Sequence, residues 1–482
     1  MKDRTFFGRE AELAQLADLW AKNIPSLVTC RGRRRIGKST LIEEFARRSD
    51  ARFIKLEGLR PKAGMTEADQ LAFFATKLSA QTGSEKTAPS DWYSAFVRLD
   101  REIGEARTVV LLDEVSWMAH FSLTFPEVLK SAWDDLFKKH RKLVLVLCGS
   151  VSSWIKENVV ENRAYVGRRS LDLVVGELPL KTCVKFWGAK ASRLNPREII
   201  DVLSVTGGVP RYLEEVKASF TAEENIRRMC FLPASILRED FGDMFNDVIT
   251  EKPRFTSQVL RTFVDGPKTS AEVAAALKIG KGGDISCAID NLVEAGFLAE
   301  TCRINPETGR ESRERRFRLR DNYSRFYLKY IEPHRRVIDD GAFAYSSLEE
   351  FEGYDSVMGL AFENLVVNNY RELIPHLHLG ESIITSAGPY ARRPARGKRG
   401  RPGCQIDLLI QTRRSIHLVE VKRMREIGRE VIDEVDRKLR LINRPNGVSA
   451  KVALVYDGHL SPVAAADGYF DALVEFRTLL GL

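Results

Sequence analysis

Gly32-Arg33-Arg34-Arg35-Ile36-Gly37-Lys38-Ser39-Thr40 carries the spacing G-x-x-x-x-G-K-[ST]. Phosphate binding needs this pattern. Gly32 and Gly37 let the chain curl so that successive backbone N–H groups point inward, and a helix opening near Ser39 adds its positive N-terminal end. Lys38 can neutralise the β- and γ-phosphates of ATP, and the Ser39 hydroxyl can ligate Mg²⁺, with Thr40 next to it. A second segment, Val109-Val110-Leu111-Leu112-Asp113-Glu114, is an apolar run ending in two carboxylates. Carboxylates at the C-terminal end of a buried strand lie where open α/β sheets bind ligands. Asp113 would hold Mg²⁺, and Glu114 would polarise the attacking water. A third apolar run, Leu143 to Cys148, ends in Gly149-Ser150. Ser150 is then a candidate contact for the γ-phosphate or the water.

A second constellation lies in residues 355–482. Glu363 sits in a helical pattern, Asp407 in the run Cys404 to Ile410, and Glu420 and Lys422 in Val419-Glu420-Val421-Lys422. Alternation with period two sends Glu420 and Lys422 to one face of a strand. The turn Gln411 to Arg414 makes the two strands antiparallel neighbours, so Asp407 and Glu420 can converge. Two or three carboxylates with a lysine are what phosphodiester hydrolysis needs. Glu363, Asp407 and Glu420 would hold one or two Mg²⁺ ions. Lys422 would orient or activate water and offset charge in the transition state.

The elements that must position these groups follow from periodicity. Apolar runs at 26–30, 52–56, 108–112, 143–148 and 171–178 read as strands, with helical patterns between them at 39–48, 66–82, 91–104 and 126–140. This alternation implies a parallel sheet with helical crossovers. Residues 1–180 therefore form the nucleotide core, and a helical stretch, 181–253, follows. Residues 254–334 form a third region. Helices at 255–264, 270–277 and 285–295 precede strands at 297–302 and 315–319, the outline of a winged helix. The region 355–482 reads as a helix (355–372), a strand (379–385), a basic loop (387–403), a hairpin (404–411 and 415–422), a long helix (425–442), a strand (451–456) and a closing helix.

The chain has 482 residues, 75 Lys+Arg and 66 Asp+Glu, for a net charge of +9. Its 44% hydrophobic and 29% charged residues exclude wholesale disorder. The excess charge is local. Arg303 to Arg336 holds 11 basic and 5 acidic residues, and Tyr390 to Arg401 holds 6 basic and none acidic. Such patches suit a phosphate-rich partner. The wing, 310–320, and the loop, 391–403, are the expected DNA contacts. The third helix of the winged helix carries Asp284, Asp290 and Glu294, so little base readout is expected from it. The alternative is that the unit is only an interdomain connector. No apolar run approaches a membrane span, and seven scattered cysteines lack metal-ligand spacing. A cytoplasmic protein with reduced thiols is expected, and a homo-oligomer is open.

Phe7-Gly8-Arg9-Glu10-Ala11-Glu12-Leu13, the Gly32–Thr40 loop, Asp113-Glu114, Cys148-Gly149-Ser150 and Gly208-Val209-Pro210 together resemble the archaeal-type AAA ATPases of the P-loop signal-transduction class. The resemblance covers about residues 1–230. It implies that Phe7, Gly8 and Arg9 lie near the adenine and that Gly208-Val209-Pro210 belongs to a helical lid over the nucleotide. It also implies that Arg168 or Arg169 reaches the γ-phosphate, in cis or on a neighbour. Glu363, Asp407 and Glu420-x-Lys422 resemble the PD-(D/E)xK nucleases, although Ile406 rather than Pro precedes Asp407. The fold class implied is an α/β multidomain chain. It has a P-loop AAA-type parallel sheet with a helical lid, a winged helix, and a C-terminal α/β restriction-endonuclease-like domain. Two functions are consistent with this. One is an ATPase coupled to a Mg²⁺-dependent nuclease acting on DNA. The other is an ATP-dependent switch whose C-terminal half binds nucleic acid or a protein without cleavage.

Overall fold

The computed structural model describes residues 6–149, 152–248, 252–280, 282–301, 304–312, 314–380, 382–394 and 402–482. Contacts divide the chain into two compact units. One holds residues up to 178 together with 246–248, and the other holds the remainder.

The first unit is built on five parallel strands, β1 (Ser26–Arg31), β2 (Arg52–Glu57), β3 (Thr108–Asp113), β4 (Leu143–Gly149) and β5 (Arg169–Val174). Their spatial order is β2-β3-β4-β1-β5. Every residue of β3 and β4 is buried, as expected of strands covered on both faces. Helix α1 (Glu10–Ala21) precedes β1, and the crossovers include α2 (Lys38–Arg48), α3 (Glu67–Thr82), α4 (Trp92–Glu102) and α5 (Phe125–Asp135). A capping box of Thr66 and Asp69 opens α3, and the Asp91 side chain accepts from Ser94 N–H to open α4. Trp92, Phe96 and Phe125 interlock beneath the sheet, the rings of Trp92 and Phe125 meeting edge to face at 4.9 Å. The fifth strand begins two residues earlier and ends four earlier than the apolar pattern suggested. Val175 nevertheless extends the pairing through its N–H to the Arg31 carbonyl.

The second unit begins with helices that include α6 (Pro196–Thr206) and α7 (Pro210–Leu213). Then come α8 (Pro253–Arg261), α9 (Ser270–Leu277) and α10 (Gly283–Glu294). They accompany a three-stranded antiparallel sheet, in the order β6 (Lys268–Thr269), β8 (Arg316–Leu319), β7 (Leu298–Glu300). The third strand, β6, was not foreseen because it is two residues long.

The C-terminal part of this unit carries α11 (Tyr354–Asn368) and a sheet of order β13-β12-β11-β10-β9. These are β9 (Ile384–Arg392), β10 (Cys404–Thr412), β11 (Ser415–Ile427), β12 (Ser449–Leu460) and β13 (Ala472–Glu475). Strands β9, β10 and β11 are antiparallel, while β11, β12 and β13 run parallel. Two expectations change here. The first strand lies at 384–392 rather than 379–385, so part of the expected basic loop is strand. Residues 425–427 extend β11, and the long helix, α12, spans Glu430–Leu441. Val431, Ile432 and Val435 of α12 pack on Ile416, Leu418 and Leu454 of the sheet. Among the described residues no helix is long and apolar enough to cross a membrane.

Candidate functional site

The P-loop site forms where β1, β4 and β3 end side by side. Because β4 lies between β1 and β3, Gly149 stands opposite Arg31, the residue before Gly32. Gly32 has φ +149, and a Cβ there would meet the Val175 carbonyl oxygen at 2.3 Å, so only glycine fits. Gly37, at φ 86, turns the chain into α2. Lys38 Nζ donates to the carbonyls of Gly32 (2.9 Å) and Arg33 (3.1 Å), folding the ammonium across its own loop. The Ser39 hydroxyl donates to Asp113 Oδ2 at 2.6 Å, which brings the two expected Mg²⁺ ligands together. Thr40 lies in the first turn of α2. Glu114 is held in the left-handed region (φ 49) as the residue before a short helix. Its carboxylate Oε2 lies 4.0 Å from where a Cβ of Gly149 would be, at the end of β4. Lys55 of β2 was not anticipated. Its Nζ is 3.4 Å from the same Asp113 oxygen and 3.0 Å from Glu43. Burial works against the Lys55 ammonium, but Asp113 and Glu43 more than offset it and raise its pKa.

Gly8 and Arg9 both have positive φ (75 and 67). The Arg9 guanidinium is buried and donates to the carbonyls of Ile36 (3.1 Å) and Gly176 (2.6 Å), with Glu12 at 3.2 Å. Arg9 therefore ties the P-loop to the segment that follows β5.

The second constellation also assembles. Leu408 pairs with Val419, which brings Asp407 beside Glu420. Asp407 Oδ2 accepts the Val421 N–H at 2.9 Å. Glu420 and Lys422 continue the row Ile416–Leu418 that faces α12, so an apolar row becomes ionic towards the end of the sheet. Glu363, Asp407, Glu420 and Lys422 line one cleft of about 480 Å³. Glu363 makes no hydrogen bond or ion pair with any described residue. Burial first, then Glu420 and Glu363, push the Asp407 carboxyl well above its ordinary range. Glu363 is raised by burial and by Glu420, against the pull of Arg325. Carboxylates that repel one another out of water call for a cation.

Part of that demand is met by groups that sequence reasoning missed. Glu434 and Lys438 of α12 line the same cleft. Lys438 Nζ donates to both Glu420 oxygens at 2.7 Å. Lys422 Nζ lies 2.9 Å from Glu420 and 2.8 Å from Glu434. Burial opposes the Glu434 charge, but hydrogen bonds from Lys422 and Lys438 hold its pKa at about 2. An i,i+4 Glu–Lys pair normally reads as a solvated helix face. The available signal was the apolar stripe Val431, Ile432 and Val435, which turns 434 and 438 towards the flank of the sheet. The donor chemistry, carboxylate oxygen throughout, suits Mg²⁺. Among the described residues, however, no three His, Cys, Asp or Glu side chains meet at one point as a metal site would need. The two ammonium groups hold Glu420 instead.

Residues 6–216 match the family described as an ATPase domain predominantly from Archaea. This match and the P-loop geometry together support a P-loop ATPase domain in this part of the chain. The chain is similar to the Walker-type ATPase of Pyrococcus abyssi, with 16% identity and a TM-score of 0.50 over 67% of this chain and 96% of that one. It is also similar to the ORC2 protein of Aeropyrum pernix, with 13% identity and a TM-score of 0.43 over 70% and 97%. An uncharacterized protein of Methanocaldococcus jannaschii is 25% identical over 374 residues, 75% of this chain and 76% of the relative. The first likeness shows the fold of a P-loop ATPase.

Within the ATPase domain the arginine expectation needs correction. Arg169 opens β5 and pairs with Leu27, at the end of the sheet away from the P-loop. Five residues of strand, roughly 16 Å, separate that end from Gly32. The Arg169 guanidinium instead donates to the Val160 carbonyl at 3.0 Å. Arg168 forms a fork on Asp134 (2.8 and 2.9 Å) and donates to the Ala164 carbonyl. Neither reaches the phosphate site of its own chain, because sheet direction places both at the wrong end. Pro210 opens α7 in the second unit. Ser150 lies outside the described residues.

The basic patches are also altered by tertiary pairing. In the wing, 310–320, Arg315 binds Asp290 and Glu300 (both 3.1 Å), and Arg316 binds Glu272 at 3.2 Å. Arg318 is buried on Asn364 and Asn368. These three have partners within the protein, Arg318 in a buried position and Arg315 in ion pairs at the surface. Arg310 remains exposed. Arg313 lies outside the described residues. In the loop, 391–403, Arg392 pairs with Glu307 and Arg393 with Glu272, while 395–401 lie outside the described residues. Asp284 and Asp290, the acids of α10, are paired with Lys252 and Arg315.

Proposed function

We propose that the chain couples its ATPase domain to a Mg²⁺-dependent nuclease acting on DNA. The observation that carries this reading is the gathering of Glu363, Asp407, Glu420 and Lys422 in one cleft. In this reading the ATPase domain binds ATP through the P-loop amides and Lys38, with Mg²⁺ on Ser39 and Asp113, and Glu114 orients the attacking water. Residues 181–253 act as the lid and bring Pro210 to the nucleotide, while Ser150 contacts the γ-phosphate. Arg168 or Arg169 serves only a neighbouring copy, within a homo-oligomer. Residues 254–334 act as a winged helix, and the C-terminal sheet as a PD-(D/E)xK nuclease domain. A divalent cation on Glu363, Asp407 and Glu420 supplies activation of water and charge neutralisation at the scissile phosphate. Lys422 orients the water and balances the developing charge. Exposed Arg310 and the loop at 395–401 grip the backbone.

Nicking of supercoiled plasmid by wild type, Lys38→Ala and Asp407→Ala tests the reading. Nicking that requires Mg²⁺ or Mn²⁺, responds to ATP, and is lost in Asp407→Ala is expected. Full activity in Asp407→Ala, or none in wild type with either metal, sinks it. The hold of two lysines on Glu420 favours the second reading, a nucleotide-dependent switch that binds without cutting. That reading predicts no metal-dependent cleavage at all.

A further inference from the structure

Of the two ammonium groups in the cleft, Lys422 at 23% exposed and Lys438, the deeper is Lys438. Its side chain is 12% exposed and that of Glu420 3%, against 33% for Glu434. The ammonium spans both oxygens of Glu420 at 2.7 Å and reaches Glu434 Oε1 at 2.9 Å. Glu434 and Lys438 stand one turn apart on α12, so their side chains are neighbours on the same helix face. Lys422, on the sheet, bridges the same two glutamates from the other side. Glu363 meanwhile lines the cleft without a partner among the described residues.

A Mg²⁺ ion takes carboxylate oxygens at about 2.0–2.1 Å with near-octahedral demands. An ammonium bonded to both oxygens of Glu420 occupies the space such an ion needs. The ion and Lys438 cannot both hold Glu420 in this arrangement. Glu434 offers the displaced ammonium a seat it already touches.

We infer that Lys438 is a resident counter-ion: it holds Glu420 in the cation-free protein and moves onto Glu434 when a divalent cation enters. Helix α12 thereby sets the cation affinity of the cleft. This rests on the reading of Glu363, Asp407 and Glu420 as a cation site. It adds a positioning residue, one that acts through Glu420 and touches no substrate.

The test is Mn²⁺ binding to the full chain, followed by calorimetry and by the electron-spin signal of the free ion. Asp113→Ala is the background, so that the Ser39–Asp113 pair of the P-loop site does not contribute. Lys438→Met removes the competing charge, and its Mn²⁺ dissociation constant should fall at least tenfold. Glu434→Gln removes the alternative seat, and its constant should rise by a similar factor. The two changes go in opposite directions, whereas damage to the fold would weaken both. Unchanged or weaker binding in Lys438→Met, in a background that binds Mn²⁺ and loses it in Asp407→Ala, overturns the counter-ion role and leaves the cation site standing. No binding in the background or in Lys438→Met, at millimolar Mn²⁺, overturns both.

Discussion

Replacing Arg9 by Met should loosen the P-loop without touching any group that meets nucleotide. The guanidinium is buried and donates to the carbonyls of Ile36 and Gly176. The peptide joining Ile36 to Gly37 is planar and trans, so its carbonyl and the Gly37 N–H point in opposite directions. Holding the oxygen on Arg9 therefore aims the N–H away from Arg9, as a phosphate-binding loop requires. Each hydrogen bond from a charged donor contributes about 1.5–3 kcal/mol, and a buried acceptor left without a partner costs about 1–3 kcal/mol. Two carbonyls lose their donor, and Met retains most of the apolar stem, so a loss of about 3 kcal/mol is expected. In a unit of this size that corresponds to a fall of roughly 6–12 °C in its unfolding temperature. The affinity for a fluorescent ATP analogue should fall about tenfold, as the Gly37 amide gains freedom. Arg9→Lys should recover only part of either effect, because an ammonium lacks the fixed planar donor geometry of the guanidinium. Scanning calorimetry and a fluorescence titration on the full chain measure both. An Arg9→Met protein that melts within a degree of wild type and binds the analogue equally well would refute this account.

Gly32→Ala should abolish ATP binding in the same titration, since its Cβ would lie 2.3 Å from the Val175 carbonyl oxygen. Asp201 of α6 is pushed up to about 6 by burial, with Asp457 and Glu198 adding to the rise and Arg423 and Arg197 opposing it. Its native state therefore binds more protons than the unfolded chain between roughly pH 4 and 6, and its contribution to stability falls as pH rises through that window. Asp201→Asn should flatten this slope, by on the order of 2–3 kcal/mol across the window, as read from melting temperatures at pH 4–7. In DNA binding, Arg310→Ala should lower the slope of log affinity against log salt by about one. Arg315→Ala should leave it unchanged, because Asp290 and Glu300 already hold that guanidinium.

The P-loop was legible because its chemistry is local. Consecutive amides, two glycines, a lysine and a serine act within nine residues, and the strand before and the helix after can be read from the same stretch. Asp407, Glu420 and Lys422 were legible for a related reason, since a short hairpin turn and a period of two bring them to one face. Packing of α11 against β10 and β11 brought in Glu363, more than forty residues earlier, and the sequence suggested it only through its resemblance.

Where the sequence failed, distance along the chain was the cause. Arg9 meets Ile36 and Gly176 only after the sheet is assembled. Arg169 looked like a phosphate contact until the parallel pairing with Leu27 placed it at the far end of its strand. The wing arginines counted as free charge because their partners, Asp290, Glu300, Glu272 and Asn364, come from other elements. Glu434 and Lys438 read as an ordinary exposed helix pair until α12 packed its apolar stripe on the sheet and turned them over Glu420. Residue types and short spacings determined which reactions this protein has groups for. Only the tertiary structure decided which of those groups face a shared cleft and which are neutralised by a partner, because charges interact through space and not along the chain.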